Sequence, residues 1–593
     1  KIMFLQYDPL KKEYKSVTGA VRISLPFIVR VKSDAGNVEL MLKKEGENEA
    51  VVAYPMTRQD RYFTVALTIT TTGLYRYYFA ADNENFYAAD ALTAARTGEK
   101  WTLIAYDDVY DSPNWLYGGI IYQIFPDRFN IGGERKKTKS DMIYRDDWGG
   151  TPVYKPNENG IVENRDMFGG NFEGIADKLE YLASLGVTLI YLNPVFESYS
   201  NHKYDTANYA LTDSDFGSLR DLALLTAKAE KYGIRIILDG VFSHTGSDSI
   251  YFNKNGRFSA LGAFNSPQSP YYEWYNFQNY PDRYDCWWGI KTLPSVNENN
   301  VSFNNYICGD DGVVARYMNM GIAGWRIDVA DELPDEFLEN ITAAAKKADS
   351  RALILGEVWE NAATKYSYGK LRHYLCGKQL DSVMNYPLKN AVIEFIKTGS
   401  VNAVDFVVRR LINDYPKRVV DALMNIIDTH DTVRALTEFG EFDDVSTKDK
   451  RSAAVIKNYA AAVKKLKQAA VLQYFLPGVP SLYYGDEAGM CGFEDPFNRR
   501  CYPWGKEDGE LIAFYRRMGR VRRSNADILS SGEYERIPSA RSVYAFKRIS
   551  GAGTLSIIVN ASAADCVLPV RSLDLLSEKQ IDSVEPGGVA VLK

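Results

Sequence analysis

The sequence predicts a multidomain α/β protein built around a (β/α)8 (TIM) barrel, with a small inserted domain after the third strand and antiparallel β-sandwich domains at both ends. Eight short apolar runs alternate with segments of helical periodicity over roughly 400 residues. A long excursion interrupts the third repeat, and such a stretch is too long for a structureless loop. The flanking segments consist of short alternating runs separated by turn residues, as in β-domains.

Composition indicates a soluble globular protein of several domains. The chain has 593 residues, of which 46% are hydrophobic and 25% charged, close to the globular average. A net charge of −6 provides no basic surface for nucleic acid. No apolar run approaches the roughly 20 residues that span a bilayer. Neither nucleic acid nor membrane is therefore a predicted partner.

Cysteine spacing and the first residues favour a cytoplasmic protein. The six cysteines show neither CxxC pairs nor the spacing of a disulfide framework, which favours reduced thiols. The opening residues lack the longer apolar segment of a secretory signal. A secreted or cell-associated protein is the alternative.

Changes of periodicity divide the chain. Runs such as "VRISLPFIVRVK" predict an N-terminal β-sandwich over residues 1–112, and "YDSPNW" (110–115) is the predicted boundary. The barrel is predicted over 113–244 and 313–527, the inserted domain over 245–312, and a C-terminal β-domain over 528–593. The insert contains "YYEWYNFQNYPDRYDCWW", whose aromatic residues we assign mainly to the insert's own core and partly to a cleft.

The barrel prediction depends on the strand count. The segment "GSLRDLALLTAKAEKYG" (217–233) has helical spacing with Gly233 at its end, and a β-rich run follows at once. A doubly wound open sheet is the competing fold. The eight predicted strands are "IIYQIFPDRF", "VTLIYLNPVF", "IRIILDGVFSH", "AGWRIDVA", "ALILGEVW", "LDSVMNYPL", "MNIIDTHD" and "VPSLYYGDE".

Polar residues occur at the ends of these predicted strands. In a parallel barrel the catalytic groups lie at the carboxyl ends of the strands, where the βα loops surround one pocket. Three of the four histidines lie in or just after such ends. The strand-end residues are Asp127, Asp239 with His244, Arg326 with Asp328, Glu357, and His430 with Asp431.

Three of these carboxylates predict acid/base chemistry. Arg326 and Asp328 are two residues apart, so on a strand they point to the same side. Asp328, Glu357 and Asp431 come from three strands, and buried like charges are typical of sites that need an acid and a base. Two carboxyl groups suffice to hydrolyse a glycosidic bond. The structural alternative is a salt bridge that only caps the barrel.

Other reaction classes lack their motifs. The sequence contains no HExxH or other fixed ligand pair for a metal, and no GxGxxG after a strand. It also lacks a Walker loop and a GxSxG nucleophile elbow. No metal site and no required cofactor is therefore predicted.

At these residues the chain resembles the α-amylase family of glycoside hydrolases (family 13), and within it the neopullulanase, cyclomaltodextrinase and maltogenic amylase group. "DGVFSH", "GWRIDVADE", "GEVW" and "IIDTHD" are similar to the four main family motifs in their order. "VTLIYLNPVF" and "GVPSLYYGDE" match two further motifs, "LPSVN" matches the motif of the inserted domain, and "IYQIFPDRF" is typical of the group's first strand.

The resemblance implies a role for each site residue. Asp328 would be the nucleophile, Glu357 the general acid/base, and Asp431 would hold sugar hydroxyls and stabilise the transition state. Arg326 would keep Asp328 ionised and oriented. The other implied substrate-binding residues are His244 and His430 as donors to the sugar, Tyr204 stacked on its ring, His202 beside it in "HKYDTANY", Asp239 in support, and Asp495 and Arg499 at the non-reducing side.

Three positions depart from the group's pattern. Asp331 replaces Asn after the nucleophile, and Glu360 replaces the His that often follows the acid/base Trp. Both departures imply an altered acceptor side. Where relatives bind calcium, this chain has "NIGGERKKTK" and Asn171, and we expect a lysine such as Lys136 to replace the ion.

The implied function is that of a retaining α-glucan hydrolase that cleaves α-1,4 and some α-1,6 bonds in maltooligosaccharides, cyclodextrins or pullulan, with transglycosylation. An α-1,6-specific debranching enzyme or pullulanase is the second alternative, and a non-catalytic sugar-binding relative is the third. The N-terminal domain resembles the carbohydrate-binding-like module of the group, which implies a homodimer formed through that domain.

Overall fold

Eight parallel strands form a closed barrel in the computed structural model, which describes residues 3–46, 50–89 and 92–593. Their order around the sheet is β6-β5-β4-β3-β2-β1-β8-β7. A parallel bridge between Met384 and Met424 joins β6 to β7 and closes the ring. The strands are Ile121–Ile124 (β1), Leu189–Leu192 (β2), Arg235–Gly240 (β3), Gly324–Ile327 (β4), Leu353–Gly356 (β5), Ser382–Val383 (β6), Met424–Asn425 (β7) and Val479–Tyr483 (β8).

Alternation along the strands fills two apolar layers. Ile121, Leu189 and Ile237 belong to the cluster inside the barrel. Their neighbours Tyr122 and Ile190 belong to the larger cluster shared with the surrounding helices. Successive side chains of a strand point to opposite faces, so an apolar run that shows no alternation fits a strand buried on both sides.

Helices surround the barrel. In Leu219–Lys231 the side chain of Ser218 accepts from the Asp221 amide and the Asp221 side chain accepts in return, which satisfies the free amides at the helix start. Gly233 follows with a φ of 70°, as a helix end requires. The other helices of the barrel are Pro126–Phe129, Phe172–Asp177, Leu179–Ser184, Val313–Met318, Asp335–Ala348, Tyr386–Thr398, Val401–Asp414, Lys417–Ala422, Ala435–Phe439, Lys448–Ser452, Tyr459–Phe475, Gly509–Ser524 and Ala526–Leu529.

The excursion after β3 consists of short elements packed on an aromatic core. A hairpin pairs Phe277–Asn279 with Arg283–Tyr284, and the helix Val301–Cys308 completes the segment. The ring of Phe252 lies within 6.0 Å of the rings of Tyr275, Phe277 and Tyr284. Most aromatic residues of this segment therefore pack on one another, whereas Trp288 is 78% exposed.

Two β-domains flank the barrel. The N-terminal strands form two sheets that enclose a separate apolar cluster. One N-terminal pair, Trp101–Tyr106 with Val21–Arg22, is parallel. The remaining N-terminal strands are Leu5–Gln6, Pro26–Ser33, Val38–Lys44, Val52–Pro55, Thr57–Gln59, Tyr62–Thr68, Gly73–Ala81, Glu84–Ala88 and Ala94–Ala95.

The C-terminal strands form one six-stranded antiparallel sheet. Tyr544, Phe546 and Ile557 on this sheet join the apolar cluster of the barrel helices. The strands are Glu533–Ile537, Val543–Ser550, Gly553–Asn560, Cys566–Asp574, Lys579–Val584 and Val589–Leu592. Throughout residues 3–46, 50–89 and 92–593, none of the helices combines the length and the apolar character needed to cross a membrane.

Candidate active site

Strand register brings the predicted polar residues to one mouth of the barrel. Asp239 on β3 pairs with Arg326 on β4, and Ile327 on β4 pairs with Gly356 on β5. Asp328 and Glu357 follow these paired residues directly. The carboxyl ends of three adjacent strands therefore carry an aspartate, an arginine with a second aspartate, and a glutamate.

One guanidinium joins the three carboxyl groups. Nη1 of Arg326 donates to Oδ1 of Asp239 at 2.8 Å and to Oδ1 of Asp328 at 2.7 Å. Nη2 lies 2.8 Å from Oε2 of Glu357. The Arg326 side chain is fully buried, and the side chains of Asp328 and Glu357 are each 8% accessible. Arg326 thus holds these two carboxyl groups side by side at the edge of solvent.

Two neutral donors complete the environment of Glu357. The Trp359 indole donates to Oε1 at 2.9 Å, and the backbone amide of Val329 donates to Oε2 at 2.9 Å. The Trp359 ring stacks on Tyr386 with centroids 3.9 Å apart. Val329 has φ 39° and ψ 51°, a left-handed conformation that is strained for a β-branched residue. This conformation directs the Val329 amide to the carboxylate.

Burial decides the protonation of this cluster. Burial raises the pKa of Asp328 well above its usual range, Arg326 opposes the rise, and the charge of Glu357 adds to it. Burial also raises the pKa of Asp239, again against Arg326. Three carboxylates facing one guanidinium would leave two uncompensated negative charges. Burial and mutual repulsion therefore both oppose full ionisation of Asp239 and Asp328 together.

Two tyrosines fix Asp239. The hydroxyl groups of Tyr191 and Tyr204 donate to its Oδ2 at 2.6 and 2.9 Å. The Tyr204 ring lies parallel to the His430 ring, with centroids 5.6 Å apart and an interplanar angle of 4°. Asp239 therefore supports both Arg326 and Tyr204 from below the mouth.

Hydrogen bonds define the tautomer of His430. The amide nitrogen of Gln123 donates to Nδ1 at 2.8 Å, so the ring proton lies on Nε2. Nε2 then donates to the Tyr204 hydroxyl at 2.6 Å and lies 3.1 Å from Oδ2 of Asp431. Burial, with Arg499 and Arg326 nearby, lowers the pKa of His430 well below its usual value. His430 is thus a neutral donor at its outward nitrogen.

His244 and His202 are held differently. Nε2 of His244 donates to the Tyr204 carbonyl at 3.1 Å, and Nδ1 lies 2.9 Å from the Ser243 hydroxyl. Burial lowers the pKa of His244 to about 4. Both ring nitrogens of His244 are therefore engaged by the protein, and its role as a donor to sugar stays a prediction. Nδ1 of His202 accepts from the Tyr204 amide at 3.1 Å.

Arg499 connects the third carboxylate to the rim. Its Nη2 lies 3.4 Å from Oδ1 of Asp431, its Nη1 lies 3.2 Å from Oδ1 of Asp495, and its Nε donates to the His430 carbonyl at 2.9 Å. Asp431 has 29% of its side chain accessible, which makes it more open than Asp328 or Glu357. Through these contacts the structure joins all eleven predicted site residues into one network.

The amide of Asn171 is engaged by the protein backbone. Both polar atoms of the Asn171 amide are bonded to the backbone of Gly132. The side chain of Arg135 packs against Gly169, and its Nη2 donates to the Met167 carbonyl at 2.8 Å. Across residues 3–46, 50–89 and 92–593, no group of three or more His, Cys, Asp and Glu side chains could hold a metal.

The expectation that Lys136 replaces the ion stays a prediction. The Lys136 ammonium lies 3.4 Å from Asp221, at the start of helix Leu219–Lys231. The cation beside Gly169 is its neighbour Arg135. The two residues are adjacent in the sequence, and only the path of the backbone decides which of them turns inward.

Sequence analysis missed the residues that position the site from behind. Gln123 orients His430 and also donates to Asn193 at 3.0 Å. Asn193 in turn donates to the Tyr204 hydroxyl at 3.2 Å. Tyr191 holds Asp239 in place. A polar residue within an apolar strand, as in "IYQIF", is the signal that could have found Gln123. Strand-end Asp127 lies outside the cluster, where it accepts from the backbone amides of Phe168 and Gly169.

The fold and the site define a (β/α)8-barrel protein whose strand ends carry clustered carboxyl groups. A family model described as the α-amylase catalytic domain matches residues 123–527. This match covers more than half of the chain. The chain belongs to the α-amylase family.

Individual relatives extend the similarity beyond the barrel. The amylopullulanase of Thermoanaerobacterium thermosulfurigenes is 34% identical over 92% of this chain and 32% of its own length. The cyclomaltodextrinase of Thermoanaerobacter pseudethanolicus is 30% identical over 90% of this chain and 88% of its own length. The solved type III pullulan hydrolase from Thermococcus kodakarensis superimposes with a TM-score of 0.69 at 26% identity, covering 100% of each chain. The chain spans about a third to a half of the amylopullulanases that it matches.

Proposed function

We propose that the chain hydrolyses α-1,4 and some α-1,6 glucosidic bonds of maltooligosaccharides, cyclodextrins or pullulan with retention of configuration. The observation that carries this proposal is the pair of carboxyl groups, Asp328 and Glu357, on the two terminal nitrogens of Arg326. A retaining glycosidase needs its nucleophile and its acid/base close together, because no water has to fit between the nucleophile and the sugar, and one guanidinium that contacts both groups favours such an arrangement.

In this mechanism Asp328 attacks the anomeric carbon while Glu357 protonates the leaving oxygen. The glycosidic bond breaks, a covalent glycosyl-enzyme forms, and the aglycone leaves as a neutral alcohol. Glu357 then takes a proton from water, which attacks the same carbon and releases Asp328. A second sugar in place of water gives transglycosylation.

The surrounding residues support the sugar in the transition state. Asp431 is open to the mouth and accepts sugar hydroxyls. Neutral His430 directs its Nε2 proton to the Tyr204 hydroxyl and so holds Tyr204 in place, and its role as a donor to sugar stays a prediction, as for His244. Tyr204 provides a flat apolar face, because its hydroxyl is fixed by Asp239 and His430. Asp495 and Arg499 hold the non-reducing side. Donors already aimed at the sugar need no reorganisation when charge develops.

Names of the relatives favour mixed linkage specificity. They include an amylopullulanase, a cyclomaltodextrinase and a type III pullulan hydrolase, and we extend their common α-glucan substrates to this chain. An α-1,6-specific debranching enzyme or pullulanase is the second candidate, because three of the relatives are named amylopullulanases.

Product analysis on pullulan and β-cyclodextrin tests the proposal, with wild type compared with Asp328→Asn. Panose from pullulan and opening of the cyclodextrin ring are expected from wild type. The variant should lose activity on the order of 10^4-fold or more, the scale of removing a catalytic nucleophile. The matched control is Asp405→Asn, an aspartate on helix Val401–Asp414 that faces the C-terminal sheet.

The alternatives give different products. Maltotriose as the sole product from pullulan would indicate the debranching enzyme. No turnover of pullulan, cyclodextrin or maltooligosaccharides by wild type would indicate a sugar-binding protein. Retained activity in Asp328→Asn would contradict the assignment of the nucleophile.

The predicted homodimer belongs to the same proposal. We assign its contact to the N-terminal β-domain, by the group resemblance. Sedimentation velocity at several protein concentrations tests it, and a single monomeric species at all of them would contradict it. The cytoplasmic location stays a prediction.

A further inference from the structure

A hairpin beside the mouth of the barrel is hydrogen-bonded to the turn that follows the candidate nucleophile Asp328. The hairpin pairs Tyr366–Ser367 with Lys370–Leu371, and the turn consists of Val329–Glu332. The Ser367 hydroxyl donates to the Asp331 carbonyl at 2.7 Å. The Tyr374 hydroxyl donates to Oδ1 of Asp331 at 2.7 Å. Asp331 is thus held at both its backbone and its side chain.

Lys365, just before the hairpin, joins this turn to the loop of the acid/base candidate. Its ammonium lies 3.0 Å from Oδ2 of Asp331 and also pairs with Glu360. Glu360 lies three residues after Glu357. The side chains of Lys365 and Asp331 are 15% and 21% accessible, so their pair is screened less than a surface ion pair, whereas Glu360 is 62% accessible. Partial burial lowers the pKa of Lys365, but both carboxylates outweigh it and keep the ammonium charged.

The bridge acts on a strained segment. Val329 is left-handed at φ 39°, and its amide donates to Oε2 of Glu357 at 2.9 Å. Such a conformation persists only where the surroundings fix it. One side of the turn is fixed by the β4 strand. The other is fixed by the contacts on Asp331, together with hydrogen bonds to the Ala330 carbonyl and the Glu332 carboxylate. Release of Asp331 would let Val329 relax and turn its amide away from Glu357.

We propose that Lys365 is a positioning residue, which keeps the Val329–Glu332 turn in the conformation that supports Glu357. This inference rests on the proposed function, because it assigns to Lys365 the orientation of the acid/base. Asp331 and Glu360 are the two carboxylates that Lys365 bridges.

Two substrates separate positioning of the acid from other effects of Lys365→Met. Cleavage of maltotriose needs Glu357 to protonate a sugar alcohol. With α-maltosyl fluoride the C–F bond breaks as Asp328 forms its bond to carbon, and fluoride leaves with little need of a proton. Since kcat/KM reports formation of the glycosyl-enzyme, it isolates this step on both substrates.

The expected result is selective. Lys365→Met should lower kcat/KM on maltotriose about 10- to 100-fold, as a displaced catalytic group does, and leave kcat/KM on the fluoride within about threefold. Lys365→Arg should restore the maltotriose rate, because it keeps the charge between Asp331 and Glu360. Lys370→Met on the same hairpin is the matched control and should resemble wild type on both substrates.

Other outcomes overturn the inference. Equal losses on the two substrates would assign Lys365 to general stability, and no loss on either would remove its role. If Lys365→Met does not fold, Asp331→Asn replaces it, with the same selective loss expected and the same two refutations. Wild type inactive on both substrates would refute the proposed function itself, which keeps the two failures distinct.

Discussion

Replacing Arg326 by Met tests whether one guanidinium stabilises the whole carboxyl cluster. Its nitrogens contact Asp239, Asp328 and Glu357 at 2.8, 2.7 and 2.8 Å, and its side chain is fully buried. Removing one partner of a buried ion pair costs about 3–5 kcal/mol, because the remaining charges stay desolvated and uncompensated. We expect this loss in the free energy of unfolding at pH 7, and a fall in kcat/KM of at least about 100-fold.

The stability loss depends on pH with a definite sign. Burial already raises the pKa values of Asp239 and Asp328 in the folded protein, and removal of the cation raises them further. The folded variant then keeps protons that the unfolded chain releases. The contribution of these raised pKa values to the free energy of unfolding is therefore fully present below the unfolded carboxyl pKa of about 4. It is lost as the pH rises. The deficit relative to wild type should be smallest near pH 4 and grow toward pH 8.

Unfolding in urea between pH 4 and 8 measures this deficit, with Arg522→Met as the matched control. Arg522 is equally buried but donates to the carbonyl oxygens of Gly119, Tyr474 and Gly478. Burial lowers its pKa to about 9, so it stays charged throughout this range and its loss should not vary with pH.

Thermal unfolding gives a second measure of the same loss. The entropy of unfolding is about 2.1 cal/mol/K per residue, taken over a barrel of roughly 400 residues. Dividing the loss of about 3–5 kcal/mol by this entropy gives a fall of about 4–6 °C in the midpoint of Arg326→Met at pH 7. A deficit of Arg326→Met that is constant between pH 4 and 8, like that of Arg522→Met, would refute the reasoning. It would mean that the carboxyl groups do not respond to the guanidinium.

Three further predictions follow from single contacts. Trp359→Phe keeps the ring stacked on Tyr386 but removes the indole N–H that donates to Glu357. Steady-state kinetics should show kcat about tenfold lower. An unchanged kcat would contradict the role of Trp359 as a donor to the acid/base. Burial lowers the pKa of His244 to about 4, so the free energy of unfolding of wild type, measured in urea, should fall by up to about 3 kcal/mol between pH 6.5 and 4. His244→Gln should lack this fall, and equal acid sensitivity of the two proteins would contradict the reasoning. Arg135→Ala removes the hydrogen bond to the Met167 carbonyl and should lower the free energy of unfolding in urea by about 1–3 kcal/mol. EDTA should leave the stability of wild type unchanged, and a loss of stability with EDTA would indicate a bound metal.

The sequence was sufficient to predict the barrel and the strand ends that carry its carboxylates. Arg326 and Asp328 are separated by the strand period, and a parallel sheet brings the ends of neighbouring strands together, so local pattern and fold class imply a common mouth. The predicted runs around β6 and β7 are longer than these strands. Only Ser382–Val383 and Met424–Asn425 pair as strands, because a helix begins at Tyr386, with Pro387 in its first turn, and the chain bends at Ile427 after β7.

Contacts made across the closed barrel could not be predicted in the same way. Gln123 on β1 orients His430 after β7 only because β8 lies between these two strands in the sheet. The Val329 amide reaches Glu357 only through a left-handed turn, which has no signature in the residue types. The choice of Arg135 over Lys136 beside Gly169 also depends on the backbone path. These are long-range outcomes of packing, whereas the strand ends are properties of local sequence.

The arrangement around Arg326 explains why one cation can serve both halves of the proposed reaction. Before attack, Asp328 carries the negative charge and Glu357 holds the proton. After attack, Asp328 is a neutral ester and Glu357, having given its proton to the leaving alcohol, carries the charge. The net charge of the buried cluster stays the same while one charge moves from Nη1 to Nη2 of a fixed guanidinium. Because Asp239 holds that guanidinium from a third side, no group has to reorganise as the charge moves, which is the condition for electrostatic stabilisation of the transition state.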